Sequence, residues 1–287
     1  MKEYQIFTDA TADLDEELIK GLPEVKILPM EILLDNKAYV YGPEGNIDHQ
    51  TFYSLLNTKV DVKTSSISPD TYMNSFEAAL KEGKDILYIC FTSGLSGTYN
   101  TASFICRDLK DQYPDSKIYC IDSLCASLGE AFFVYEALKR QKEGYTIDEL
   151  YEWCSYSRRN VAHWFTLDNF DYLIKGGRIS PAVAAIGSAL QIKPLLSVDE
   201  EGKLYVASKL RGRKSSIAAL LKKVDSDWKQ DVDKKIVVGH GNCPEEAEEM
   251  KEKILARHPE ADVSIMSIGP VIGCHTGPSI LAVIYYQ

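Results

Sequence analysis

The chain has 287 residues, 45% of them apolar and 26% charged, which is enough for two cores of ordinary size and unlike a disordered or fibrous protein. A formal net charge of −10 and a pI near 5.1 argue against a general nucleic-acid or anionic-membrane binder, since both need a basic face to displace counterions. Seven cysteines without a CxxC pair suit a reducing compartment, the acidic start lacks the apolar core of a signal peptide, and no apolar stretch reaches the roughly 20 residues that cross a bilayer, so a cytoplasmic protein is expected.

In chain order, Tyr4 to Thr8, Val25 to Met30, Ile86 to Phe91 and Lys117 to Ile121 are short runs rich in Ile, Val, Tyr and Phe, as buried strands prefer. Helical segments lie between them. Pro69 follows Ser68, a natural N-cap, and apolar Tyr72, Phe76, Ala79 and Leu80 recur at helical spacing until Gly83. Further helices are predicted from about Gly97 to Tyr113 and from about Leu128 to Lys142, the second ended by Gly144. Thr146 with Glu149 has the form of a capping box and opens a helix to about Arg159. Strands alternating with helices in this way predict an α/β domain over residues 1–158 with a mainly parallel, Rossmann-like sheet.

The pattern changes over residues 159–287. Strand Val161 to Thr166 and an apolar helix Pro181 to Leu190 precede two β runs that flank Asp199-Glu200-Glu201-Gly202 as a hairpin. A helix Lys214 to Trp228, a strand Ile236 to Gly239, a helix Pro244 to Arg257 and strands Val263 to Ile268 and Leu281 to Tyr286 complete a second α/β sandwich with a mixed or antiparallel sheet. The cleft between two such domains is a natural ligand site.

The most informative stretch is Phe91-Thr92-Ser93-Gly94-Leu95-Ser96-Gly97-Thr98-Tyr99, which follows a strand and opens a helix. Helix-terminal amides, hydroxyls on Ser93, Ser96 and Thr98, and close backbone approach at Gly94 and Gly97 predict an anion there. Without a Gly-Lys-Ser/Thr ending or a GxGxxG, a carboxylate is favoured over a nucleotide phosphate; the plain alternative makes Ser96 or Thr98 a cap. A second hydroxyl cluster, Thr64-Ser65-Ser66, lies before the Ser68 cap, and His275 sits among glycines in what reads as a loop, able to bond an anion or move a proton. Asp13 reads as a helix N-cap and Asp9 as a loop hydrogen-bonding group; His49, His163, His240 and His258 read as residues of polar turns and strand ends. Arg211, Arg213 and Lys214 form the one basic cluster, and no Cys/His/carboxylate spacing suggests a metal.

Taken together the motifs resemble the DegV family, including the fatty-acid-binding (FakB-like) subunits of bacterial fatty acid kinase. The residues that carry the likeness are Thr8-Asp9 with Thr11-Ala12-Asp13-Leu14, Lys63-Thr64-Ser65, Ser93 with Leu95-Ser96-Gly97-Thr98-Tyr99, Asp122-Ser123 with Ser127 and Gly129, and Asn169-Phe170-Asp171-Tyr172-Leu173 with Lys175-Gly176-Gly177-Arg178. Lys193-Pro194, Arg211-Gly212 and Gly269-Pro270-Val271-Ile272 with His275 and Gly277-Pro278 complete them. The resemblance implies one long-chain, palmitate-like fatty acid buried between the domains, its carboxylate held by Thr64 and Ser93 with His275 and Arg211 in the same polar network, and no catalytic residue, metal or other cofactor; with the hydroxyl and glycine clusters read above, Ser65, Gly94 and Ser96 join the expected carboxylate site. It also implies a fatty acid kinase catalytic subunit as partner, a link to phospholipid synthesis, transient contact with a membrane surface and no nucleic acid. Ser66-Ile67 stands where the family often has Gln-Pro, and Ser279 where it has Gly. The helix Pro181 to Leu190 and the run Ala131-Phe132-Phe133-Val134 are candidate tunnel walls. The competing reading is an acyl hydrolase or transferase with Ser93 as nucleophile, His275 as base and Asp9 as orienter.

Overall fold

A computed structural model describes residues 2–56, 60–180 and 192–287; the expected helix Pro181 to Leu190 lies outside the described residues. Strands β1 (Tyr4–Asp9), β2 (Val25–Leu28), β6 (Asp85–Cys90) and β7 (Ile118–Asp122) form a four-stranded sheet in the order β2-β1-β6-β7, parallel throughout. Helices α2 (Pro69–Lys81) and α3 (Thr98–Gln112) supply its crossovers, and Ser68 caps α2 by accepting from the Thr71 amide.

The run expected as one strand, Val25 to Met30, is two. Pro29 offers no N–H to a ladder, so β2 stops at Leu28 and β3 (Met30–Leu34) turns into a separate antiparallel sheet with β4 (Lys37–Tyr41) and β5 (Val62–Thr64). The β3–β4 turn is Asp35-Asn36, both at positive φ (47° and 67°), the backbone that a two-residue hairpin requires. Helix α1 (His49–Leu56) leads toward β5.

The second sheet has six strands in the order β10-β9-β8-β13-β11-β12, antiparallel except for β11 with β12. These strands are β8 (Val161–Thr166), β9 (Ile192–Val198), β10 (Leu204–Arg211), β11 (Lys235–His240), β12 (Asp262–Ser267) and β13 (Leu281–Tyr286). Helices α7 (Arg213–Asp227) and α8 (Pro244–Arg257) pack on one face. The other face meets α4 (Leu128–Lys142), which also touches Ile6, Leu87 and Ile121 of the first sheet.

Helix α4 is therefore buried between the sheets, and its sequence is apolar around most of its circumference for that reason. Ala131, Phe132, Phe133 and Val134 are completely buried in this core rather than forming a tunnel wall, a correction to the expectation above. Helix α5 (Ile147–Ser157) begins at the expected capping box, with the Thr146 hydroxyl and the Glu149 carboxylate bonding reciprocally to each other's backbone. Short helices α6 (Asp171–Lys175) and α9 (Pro270–Thr276) complete the described set.

Asp13 is no N-cap. A one-turn 3-10 helix, Ala10–Ala12, follows β1 with Asp9 as its cap, and Asp13 ends it at φ 52° with its side chain buried. The hairpin at Asp199 to Gly202 forms as expected, and Gly202 takes φ 75°.

Candidate functional site

The loops after β1, β6 and β7 meet α9 and the inner faces of β8, β10 and β13 around one mostly apolar cavity of about 100 Å³. Thr11, Phe91 to Ser96 in part, and Ala126 to Leu128 supply one side, and Phe165, Leu204, Ala282 and Ile284 the other. Ligands of open parallel sheets lie off the carboxyl ends of the strands.

One end of this cavity is polar. Thr64, at the end of β5, places Oγ1 3.0 Å from Nε2 of His275. His275 belongs to α9 rather than to a loop, because Pro270 opens a helical turn that runs to Thr276. Its other ring nitrogen, Nδ1, is buried without a hydrogen-bond partner, and Gly176 lies so close that a Cβ there would collide with it. Burial, and secondarily the charge of Arg178, push the imidazole down to about 4, so it is neutral at pH 7. If Nε2 carries the ring proton, the Thr64 hydroxyl is free to donate to a ligand.

Arg178 completes the pole. It donates from Nε to the Leu95 carbonyl (3.2 Å) and from Nη1 to the Gly176 carbonyl (2.5 Å), and no carboxylate among the described residues pairs with it. Ser96 also faces the cavity, its hydroxyl 2.8 Å from that of Thr98. A partly buried guanidinium without a counter-charge among the described residues, beside two hydroxyls and a neutral imidazole, has the chemistry to take one carboxylate.

The other expected site residues lie elsewhere. The Ser93 hydroxyl is exposed and donates to Asp122 (2.5 Å), whose carboxylate also takes the Ser93 and Leu124 amides. The Gly94 amide bonds the Thr92 hydroxyl and the Leu95 amide the Thr92 carbonyl, so much of the predicted anion cradle is filled from within. Gly94 serves the hairpin: a side chain there would strike the Gly202 and Glu201 carbonyls, and Thr92 Oγ1 donates to Gly202 O at 3.0 Å. The cap position of α3 is Gly97, without a side-chain bond, while the Ser96 hydroxyl just before it accepts the Thr98 amide at 3.2 Å. Ser65 pairs with Glu31 at the edge of β3, Arg211 is exposed at the end of β10, and neither lines the cavity. Asp9 is bonded by Thr11 and Tyr88, Ser93 by Asp122 and His275 by Thr64, so the three residues of the hydrolase reading are each engaged elsewhere.

Sequence reading did not assign four cavity residues to the site. Arg178 follows Gly176-Gly177, and the clue was that a glycine is needed where His275 packs against the backbone. His163 is a fully buried residue in the middle of β8, with Nδ1 on Val161 O (2.9 Å) and Nε2 receiving the Ala126 amide (3.3 Å). Burial pushes it down to about 4. Thr11 and Ser127 stand in front of buried carboxylates, as described below.

A profile described as "Uncharacterised protein, DegV family" matches residues 3–287 of this chain. A DegV domain-containing protein of Clostridium perfringens is 37% identical over 285 residues, 99% of this chain and 98% of its own. The fatty acid binding DegV family protein of Streptococcus agalactiae, a solved structure, is 26% identical with a TM-score of 0.86 over 100% of both chains. The structure of a DegV family protein from Thermus thermophilus, described for its fatty acid binding, superposes with a TM-score of 0.86 at 24% identity over 100% of both chains and shares the fold.

Proposed function

This chain belongs to the DegV family, and we propose that it binds one long-chain fatty acid between its sheets, with the carboxylate against Arg178, His275, Thr64 and Ser96. The observation that carries this reading is the Arg178 guanidinium, paired with no carboxylate among the described residues, at the end of a mostly apolar cavity. The fatty acid binding of the Streptococcus agalactiae relative supports it. Burial of a palmitate-like tail of about 14 methylenes is worth on the order of 10 kcal/mol before binding costs, so the tail supplies the affinity and the polar pole offsets carboxylate desolvation.

Lipid extracted from denatured, freshly purified protein should yield a fatty acid near one per chain by mass spectrometry. Lipid-free protein, under conditions where a known carrier keeps its ligand, would remove this reading.

The same proposal extends to a partner. The chain holds the fatty acid, contributes no catalytic residue, metal or further cofactor, and presents the carboxylate in the cytoplasm to a fatty acid kinase catalytic subunit, with transient contact at the membrane surface. Its two domains divide at residue 158. Among the described residues no helix is long and apolar enough to cross a membrane. Addition of such a subunit with ATP to the loaded protein should form acyl phosphate; loaded protein that yields none would leave the binding role and end the kinase one.

A further inference from the structure

Away from the charged pole, the cavity wall is interrupted by His163, whose two nitrogens are both engaged with backbone, and by two hydroxyls, Thr11 and Ser127. Ser127 Oγ donates to Asp13 Oδ2 at 2.6 Å, and Thr11 Oγ1 lies against Asp9 Oδ1 and, at 3.0 Å, Glu130 Oε2. A hydroxyl has one proton and two lone pairs, so whichever partner supplies the proton of the bond to the carboxyl behind it, each hydroxyl keeps hydrogen-bonding capacity for the cavity.

The pair is held in place against local preference. Ser127 and its partner Asp13 both sit at left-handed φ, 51° and 52°, which disfavours residues with a side chain. Their distance from the pole follows from α9. Gly269, just before that helix, packs on Asp13 Oδ1, and His275 comes six residues later, so at 1.5 Å per helical residue the backbone beside the two polar points is separated by roughly 9 Å. A carboxylate on Arg178 would leave Ser127 and Thr11 beside the middle of the acyl chain.

We propose that Thr11 and Ser127 form a second subsite that exchanges a hydrogen bond with a hydroxyl carried part-way along the chain, so that the ligand class includes mid-chain hydroxylated fatty acids. This rests on the fatty-acid reading above. Both hydroxyls also satisfy the buried carboxyls behind them, so the subsite is what their remaining hydrogen-bonding capacity adds on the cavity side.

The test compares stearate with stearates bearing a single hydroxyl at successive mid-chain positions, titrated into delipidated protein. Wild type should bind one or two neighbouring positional isomers at least as tightly as stearate and the remaining isomers more weakly, since a hydroxyl elsewhere is desolvated without a partner. Ser127→Ala should lower the affinity ratio of the favoured isomer to stearate by about three- to tenfold, the worth of one hydrogen bond. A uniform loss across all positions in wild type, or a ratio unmoved by Ser127→Ala, would overturn the subsite. If Ser127→Ala fails to fold, the wild-type positional series decides alone. Stearate binding with every hydroxylated chain rejected defeats the subsite only, whereas no binding by any of them defeats the fatty-acid reading itself.

Discussion

Arg178→Ala should weaken binding of a long-chain fatty acid at pH 7 by roughly ten- to a hundredfold, the range expected for one charge-assisted hydrogen bond in a partly buried site. Arg178 is the one cation among the described residues at the pole, because His275 is pushed down to about 4 and is neutral there. The guanidinium is already fixed by the Leu95 and Gly176 carbonyls, so little ordering is required when a carboxylate arrives. Arg178→Lys should recover only part of the loss, since an ammonium cannot keep both carbonyls and still present a planar edge. Calorimetric titration of palmitate into delipidated protein measures this. Affinity within threefold of wild type for Arg178→Ala would move the carboxylate away from this pole.

The architecture was legible where short-range rules and burial agree. Three strands of the parallel sheet, the Ser68 cap, the Thr146–Glu149 capping box and the Asp199 to Gly202 hairpin all appear as read. The misreadings share a cause, in that a residue's local preference was overridden by what packs on it. Asp13 has the residue type of an N-cap, but Ser127 and Gly269 claim its carboxylate and the chain leaves the turn in the left-handed region. Pro29 was absorbed into a strand, although its missing N–H is what parts β2 from β3.

The candidate site was legible only in part. Thr64, Ser96 and His275, which line the cavity, stood out because hydroxyls and a histidine beside glycines are local signals. Arg178 is 97 residues before His275 in sequence (275 minus 178) and gains its meaning only when α9 brings the imidazole onto Gly176. Ser93 was overvalued because Asp122, at the end of the neighbouring strand β7, was not seen as the internal anion that occupies it.

Asp13→Asn should gain stability relative to wild type as pH rises from about 5 to 8. Burial is the main cause that pushes the Asp13 carboxyl up to about 7, against an ordinary 3.8, with Ser127 opposing it. Between those two values the folded chain keeps a proton that the unfolded chain has lost, so the Asp13 contribution to stability falls with rising pH across that window. A shift of about three units corresponds to at most about 4 kcal/mol. Asp9 and Glu130, also raised by burial, act in the same sense. His163 and His275, both pushed down to about 4 by burial, act in the opposite one, since their cost appears as pH falls below 6.5. The wild-type profile alone mixes these terms. The difference between wild type and Asp13→Asn isolates one of them, because asparagine keeps a carbonyl for the Ser127 hydroxyl and removes only the titration. Urea denaturation of both proteins at several pH values should show the gap opening in favour of the variant up to about pH 7 and levelling above it. Parallel profiles would mean that Asp13 is already ionised in the fold at pH 5, and the buried carboxylates behind Thr11 and Ser127 would then need a counter-charge.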